Sequence, residues 1–139
     1  VVGHLAETDQ HVILGANRDC ILTAIYHEGI SHTSMFDMFI EPFTSISRMM
    51  YACPNLQTSQ QIVRLNKGTP TFMRAPGEAP GSFALESALD ELAYAVKIDP
   101  IELRFRNYTK LVWVWQVLVS QLYYSQLLPK HICSQMVPL

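Results

Sequence analysis

The sequence predicts an α+β fold, and three observations carry that prediction. Two β-rich runs, His11 to Leu14 and Ile21 to Ile30, flank the turn-forming "GANRD" and read as a hairpin near 11–30. An alternating stretch from Gln57 to Leu65 reads as a further strand near 57–66. A 3.6-residue apolar period from Ser82 to Lys97 reads as a helix.

Taken in order, the hairpin comes first because branched and aromatic residues crowd both of its arms. Residues 33 to 53 mix Met and Phe with Ser and Thr and are broken at Pro42, so a loop is expected, then a short helix from about Thr44. The strand near 57–66 is closed by the turn residues Lys67, Gly68, Thr69 and Pro70. In the helix 82–97, Leu85, Leu89, Leu92 and Val96 form one face and Glu86, Asp90 and Lys97 the other. Ser82 is the expected N-cap, although Glu86 stands one residue too far for a capping box. A short helix 100–107 follows, with Asp99 as N-cap and Pro100 at the first helical position, where its missing N–H does no harm.

Composition narrows the function. A net charge of −2, with the basic residues scattered from Arg18 to Lys130, argues against a nucleic-acid partner. Cys20, Cys53 and Cys133 are odd in number and widely spaced, specifying neither a disulfide framework nor a zinc site, so a reducing, cytoplasmic compartment is expected. The opening "VVGHLAETDQ" shows no export signal and no initiator Met, as a processed chain or a fragment would. Residues 109–139 contain no Asp, Glu or Gly. Gln116, Ser120, Gln121, Ser125 and Gln126 interrupt their apolar run and argue against a membrane span. This tail reads as an apolar segment of unassigned origin, either a partner-binding element or an out-of-frame translation.

Candidate chemistry concentrates in "RAPGEAPGS". Gly77 and Gly81 would let the backbone approach a ligand, and a helix starting at Ser82 would aim unpaired N–H groups forward, a geometry suited to anions. The loop could equally be a plain connector, and it is neither of the common nucleotide-binding glycine patterns. Arg74 could clamp a carboxylate, phosphate or oxo group, or form an ion pair with Glu78. His4, His11, His27 and His32 show no metal-ligand spacing and read as satisfied or exposed residues. Nothing in the sequence pairs Glu28 with Glu41 as acid and base, and the Met and Phe residues of 35–50 read as packing.

At "GTPTFMRAPGEAPGSFALESALDELAYAVKIDPIELRFRNY" the chain resembles the molybdopterin-binding large subunit of the xanthine dehydrogenase and aldehyde oxidase family. The resemblance extends upstream through Gly3-His4, Leu14 to Asp19, Leu22 to Ile25 and Tyr51 to Asn55, and so covers residues 1–108. It implies a partial molybdopterin-binding domain, with the cofactor commonly held as its cytosine dinucleotide in bacteria. It also implies partner subunits carrying a 2Fe–2S cluster and FAD. The implied reaction is oxidative hydroxylation of an aldehyde or N-heterocycle with oxygen taken from water.

Residue by residue, the resemblance assigns Arg74, Ala75, Pro76 and Gly77 to one wall of the cofactor site. It implies no side-chain metal ligand and no catalytic residue here, because the family's glutamate base belongs to a motif outside these residues. Purine-oxidising relatives carry an aromatic at the Pro76 position and an arginine at the Pro42 position, so an aldehyde or other non-purine substrate is expected. Leu5 stands where bacterial relatives have arginine, and Cys20 where they have a turn glycine. The isolated chain is expected to be inactive. The alternative is a truncated, non-catalytic interaction protein or a pseudogene product.

Overall fold

The structure, a computed structural model, describes residues 3–108, and the predicted tail 109–139 lies outside the described residues. Strand β1 (Thr8–Ala16) runs antiparallel to β2 (Leu22–Ser34), giving the predicted hairpin with both arms longer than their β-rich cores. Asn17 closes the turn, its side-chain oxygen accepting from the N–H groups of Asp19 and Ile21. Strand β3 (Leu56–Leu65) falls where alternation placed it, and it pairs parallel to β2, from Ile25 against Leu56 to Ser34 against Leu65. A parallel partner needs a crossover. Residues 35–55 supply it, with a 3₁₀ helix at Phe43–Arg48 where a short helix was expected.

Helix α1 (Glu78–Val96) begins four residues before the predicted start at Ser82. Pro80 and Gly81 read as punctuation, but a proline in the first turn gives up an N–H that has no helical acceptor. Gly81 is buried, and a Cβ there would stand 1.9 Å from the carbonyl oxygen of Phe43. Its role is therefore to seat α1 on the 3₁₀ helix. Ser82 is not the cap: its hydroxyl donates back to the Ala79 carbonyl from inside the helix. The other end closes with paired bonds from Lys97 N–H to Tyr94 O and from Ile98 N–H to Ala93 O, with Lys97 left-handed.

Helix α2 (Pro100–Asn107) has the predicted cap, Asp99 accepting from the N–H groups of Ile101 and Glu102. Leu85, Leu89 and Ala93 of α1 meet Leu22 and Ile25 of β2, Ile46, Tyr51 and Leu103 in one core. Val12 and Leu14 of β1 pack against it, whereas Ile13 is exposed, so the helices cover one sheet face. Arg104 ties the helices together, bonding Glu86 at 2.6 Å and Asp90 at 2.9 Å. Burial, then the hydrogen bond donated to Glu86, pushes the Tyr51 hydroxyl pKa up, so that donor stays protonated.

Cys20 sits in the left-handed region at φ 60°, at the position where the resemblance expects glycine. Left-handed backbone costs a non-glycine residue roughly 1–2 kcal/mol, and glycine's larger unfolded-state entropy gives back about half. Cys20 also packs against the core, so the strain relieved in Cys20→Gly is offset by lost packing. Stability is expected to stay within about 0.5 kcal/mol of the parent, read from the urea midpoint at unchanged slope.

Candidate functional site

The segment Thr69–Gly77 crosses from β3 to α1 and carries the predicted wall residues. It is held at both ends by side-chain bonds, Thr69 to Ser34 and Gly77 to Glu41, and between them by one backbone bond. Thr71 N–H donates to His4 O at 3.0 Å, and a Cβ on Gly3 would overlap the Thr71 side chain, so the "GH" segment lies directly against this loop. Pro70 is fully buried, whereas Phe72 is 75% exposed and meets Phe39 edge-on at 4.9 Å.

Arg74 and Ala75 are exposed, Pro76 is half-buried and Gly77 is buried. Among the described residues Arg74 makes no ion pair, so the expected structural pairing with Glu78 is absent. Its guanidinium fork is available to a ligand. Ala75 and Gly77 are both left-handed, at φ 52° and 82°. Gly77 rests on Pro42, where an added Cβ would come within 2.6 Å of the Pro42 carbonyl. Pro42 and Pro76 thus both lie at Gly77, the one packed against it and the other preceding it in the chain.

The anion site expected at the helix start takes a different form. Gly77 N–H donates to the buried Glu41 Oε1, Ala79 N–H donates to Ala75 O at 3.2 Å, and Pro80 has no N–H. The protein's own acceptors thus take the Gly77 and Ala79 N–H groups, and Gly77 and Gly81 are both buried. What the loop offers is the Arg74 side chain and the exposed backbone beside it.

The histidines divide. His27 is fully buried, with Nδ1 2.7 Å from Ser47 Oγ and Nε2 2.9 Å from Gln10 Oε1. Because Gln10 Oε1 can only accept, Nε2 carries the proton and Ser47 donates to Nδ1. His11 pairs with Glu28 at 3.5 Å on the outer sheet face, where the Tyr26 hydroxyl also donates to Glu28 and holds that carboxyl below its usual pKa. His4 and His32 stack at 5.8 Å, a meeting the spacing did not suggest. Among the described residues no group of three or more His, Cys, Asp or Glu could hold a metal. Of the Met and Phe residues expected to pack in 35–50, Phe43 is buried and Met50 packs against the core, but Met35, Met38 and Met49 are exposed and Phe36 is 92% exposed.

Burial lowers the His27 pKa from its ordinary 6.5. The unfolded chain therefore binds this proton more readily, and the stability contributed by neutral His27 is full above about pH 6.5 and lost as pH falls below it. Melting temperature is expected to drop between about pH 7 and pH 5, and His27→Gln to flatten that limb.

The chain matches the model of the molybdopterin cofactor-binding domain over residues 1–108. It is 40% identical over 110 residues to the aldehyde oxidoreductase molybdenum-binding subunit PaoC of Escherichia coli, covering 78% of this chain and 15% of that one. A nicotinate dehydrogenase subunit of Pseudomonas putida is 34% identical over 74 residues, 49% of this chain and 6% of that one. Among solved structures, the aldehyde oxidoreductase of Desulfovibrio gigas has the same fold, with a TM-score of 0.70 and 24% identity over 78% of this chain and 12% of that one. Quinoline 2-oxidoreductase of Pseudomonas putida gives 0.70 and 20%, over 78% of this chain and 15% of that one. The chain thus spans a small part of the relatives it matches. On the match over residues 1–108, the chain belongs to the molybdopterin cofactor-binding domain family, within the xanthine dehydrogenase and aldehyde oxidase group.

Proposed function

We propose that residues 74–77 form one wall of a molybdopterin site in a larger molybdenum oxidoreductase. The observation that supports this most is the exposed Arg74, without an ion pair among the described residues, on a loop fixed from behind by Pro42 and Glu41. A planar fork of donors so held suits a carboxylate, phosphate or oxo group. Bound there, the cofactor would supply oxidative hydroxylation with oxygen from water, electrons passing on to partners that carry iron–sulfur and FAD groups. Arg74 would orient, and Ala75, Pro76 and Gly77 would shape, that side of the site. The proline at position 76 and the Pro42 carbonyl beneath Gly77 favour an aldehyde over a purine, since neither offers the stacking face or the cationic donor that a purine would use.

Among the described residues the proposed wall is not joined by the glutamate base that the resemblance implies, so these residues alone are expected to show no turnover. Metal analysis and dye-linked aldehyde oxidation on the purified chain test this. Aldehyde oxidation by a molybdenum-loaded preparation of these residues would contradict it.

A further inference from the structure

We infer that Glu41 is the positioning residue for Arg74. Its side chain is 0% exposed, and one carboxyl oxygen accepts the Gly77 N–H while the other is buried without a partner among the described residues. The backbone of Glu41 is itself anchored. Its carbonyl accepts from Phe43 N–H at 2.9 Å and from the Gln60 side-chain amide on β3. The loop is thus tied through one side chain to both the sheet and the 3₁₀ helix.

A tie is needed there. Ala75 and Gly77 are left-handed within three residues, and for Ala75 that is strained backbone, which an untethered loop would shed by relaxing. Burying a carboxyl with one oxygen unpaired is also expensive. An apolar side chain would fill the same space at lower cost but could not hold the Gly77 N–H. What the carboxyl supplies is a fixed backbone directly after Arg74, so that the guanidinium projects from a rigid base. The consequence for a cofactor rests on the reading of residues 74–77 as a cofactor wall; the positioning itself does not.

Amide hydrogen exchange and trypsin cleavage after Arg74, both on the full chain without cofactor, test the positioning. Gly77 N–H is expected to be protected in the parent. Glu41→Gln, whose amide oxygen still accepts, is expected to keep that protection within about threefold. Glu41→Asp, one methylene shorter, is expected to accelerate exchange at Gly77 and cleavage after Arg74 by at least about tenfold, with the Ile25 amide of β2 unchanged. Three results would overturn the inference: unprotected Gly77 in the parent, equal loss in Glu41→Gln and Glu41→Asp, or acceleration of Ile25 alongside Gly77. None of these readouts depends on a pterin, so failure of the cofactor-wall reading would leave them unmoved.

Discussion

Gly81→Ala is expected to destabilise the domain by about 2 kcal/mol, a fall in melting temperature on the order of 10 °C. In an exposed helix the same change would gain about 1 kcal/mol from helix propensity. Here the new Cβ would stand 1.9 Å from Phe43 O and 2.9 Å from Ile46 Cγ2. A backbone carbonyl cannot swing aside, so α1 has to lift from the 3₁₀ helix, and Leu85 and Leu89 lose part of their contact with the core. Overpacking wins over propensity because the obstructing atom is main chain. Thermal unfolding of the variant checks the sign; a rise in melting temperature would mean that α1 and the 3₁₀ helix are not in this contact.

Asn107→Leu is expected to cost about 3 kcal/mol. Asn107 is 2% exposed, its oxygen accepts Leu22 N–H at 2.7 Å, and its amide donates to Cys20 O and Leu103 O, each at 2.8 Å. Leucine has nearly the same shape and none of these bonds. It would leave the buried Leu22 N–H unpaired, at about 1–3 kcal/mol, and the half-buried Cys20 carbonyl without its donor, at less. The end of α2 would then no longer hold the β1–β2 turn. Loss of exchange protection at Leu22 is the specific signature, with the α1 amides far less affected.

These two residues also mark where sequence reading succeeds and where it stops. Asp99 and Pro100 announce α2 because cap and first turn are neighbours in the chain, and alternation announces β3 because its period is local. Pairing is another matter: nothing within residues 57–65 says that the strand lies parallel to β2. The start of α1 was misplaced for a related reason. Pro80 and Gly81 look like a break until the 3₁₀ helix that Gly81 packs against is known.

In the candidate site, Arg74 to Gly77 stand out through family resemblance; of these Arg74 and Ala75 are exposed, Pro76 is half-buried and Gly77 is buried. The bond from Gly77 to Glu41 spans 36 positions and follows no motif, so the sequence left Glu41 as an unpaired acid and offered the helix start to a ligand. No local signal singles out Asn107, and its three bonds reach residues as far as 87 positions away, which makes its role structural.

In the proposed wall, Arg74 would face the cofactor. The most direct test of this places residues 3–108 in the matching segment of the Escherichia coli subunit, to which the chain is 40% identical, and compares the chimera with its Arg74→Ala form. Both are expected to fold and to retain molybdenum, with kcat/KM for aldehyde oxidation at least about 100-fold lower in Arg74→Ala, as loss of a charged positioning contact implies. An Arg74→Ala chimera that retains molybdenum and oxidises aldehyde as fast as its parent would contradict the account.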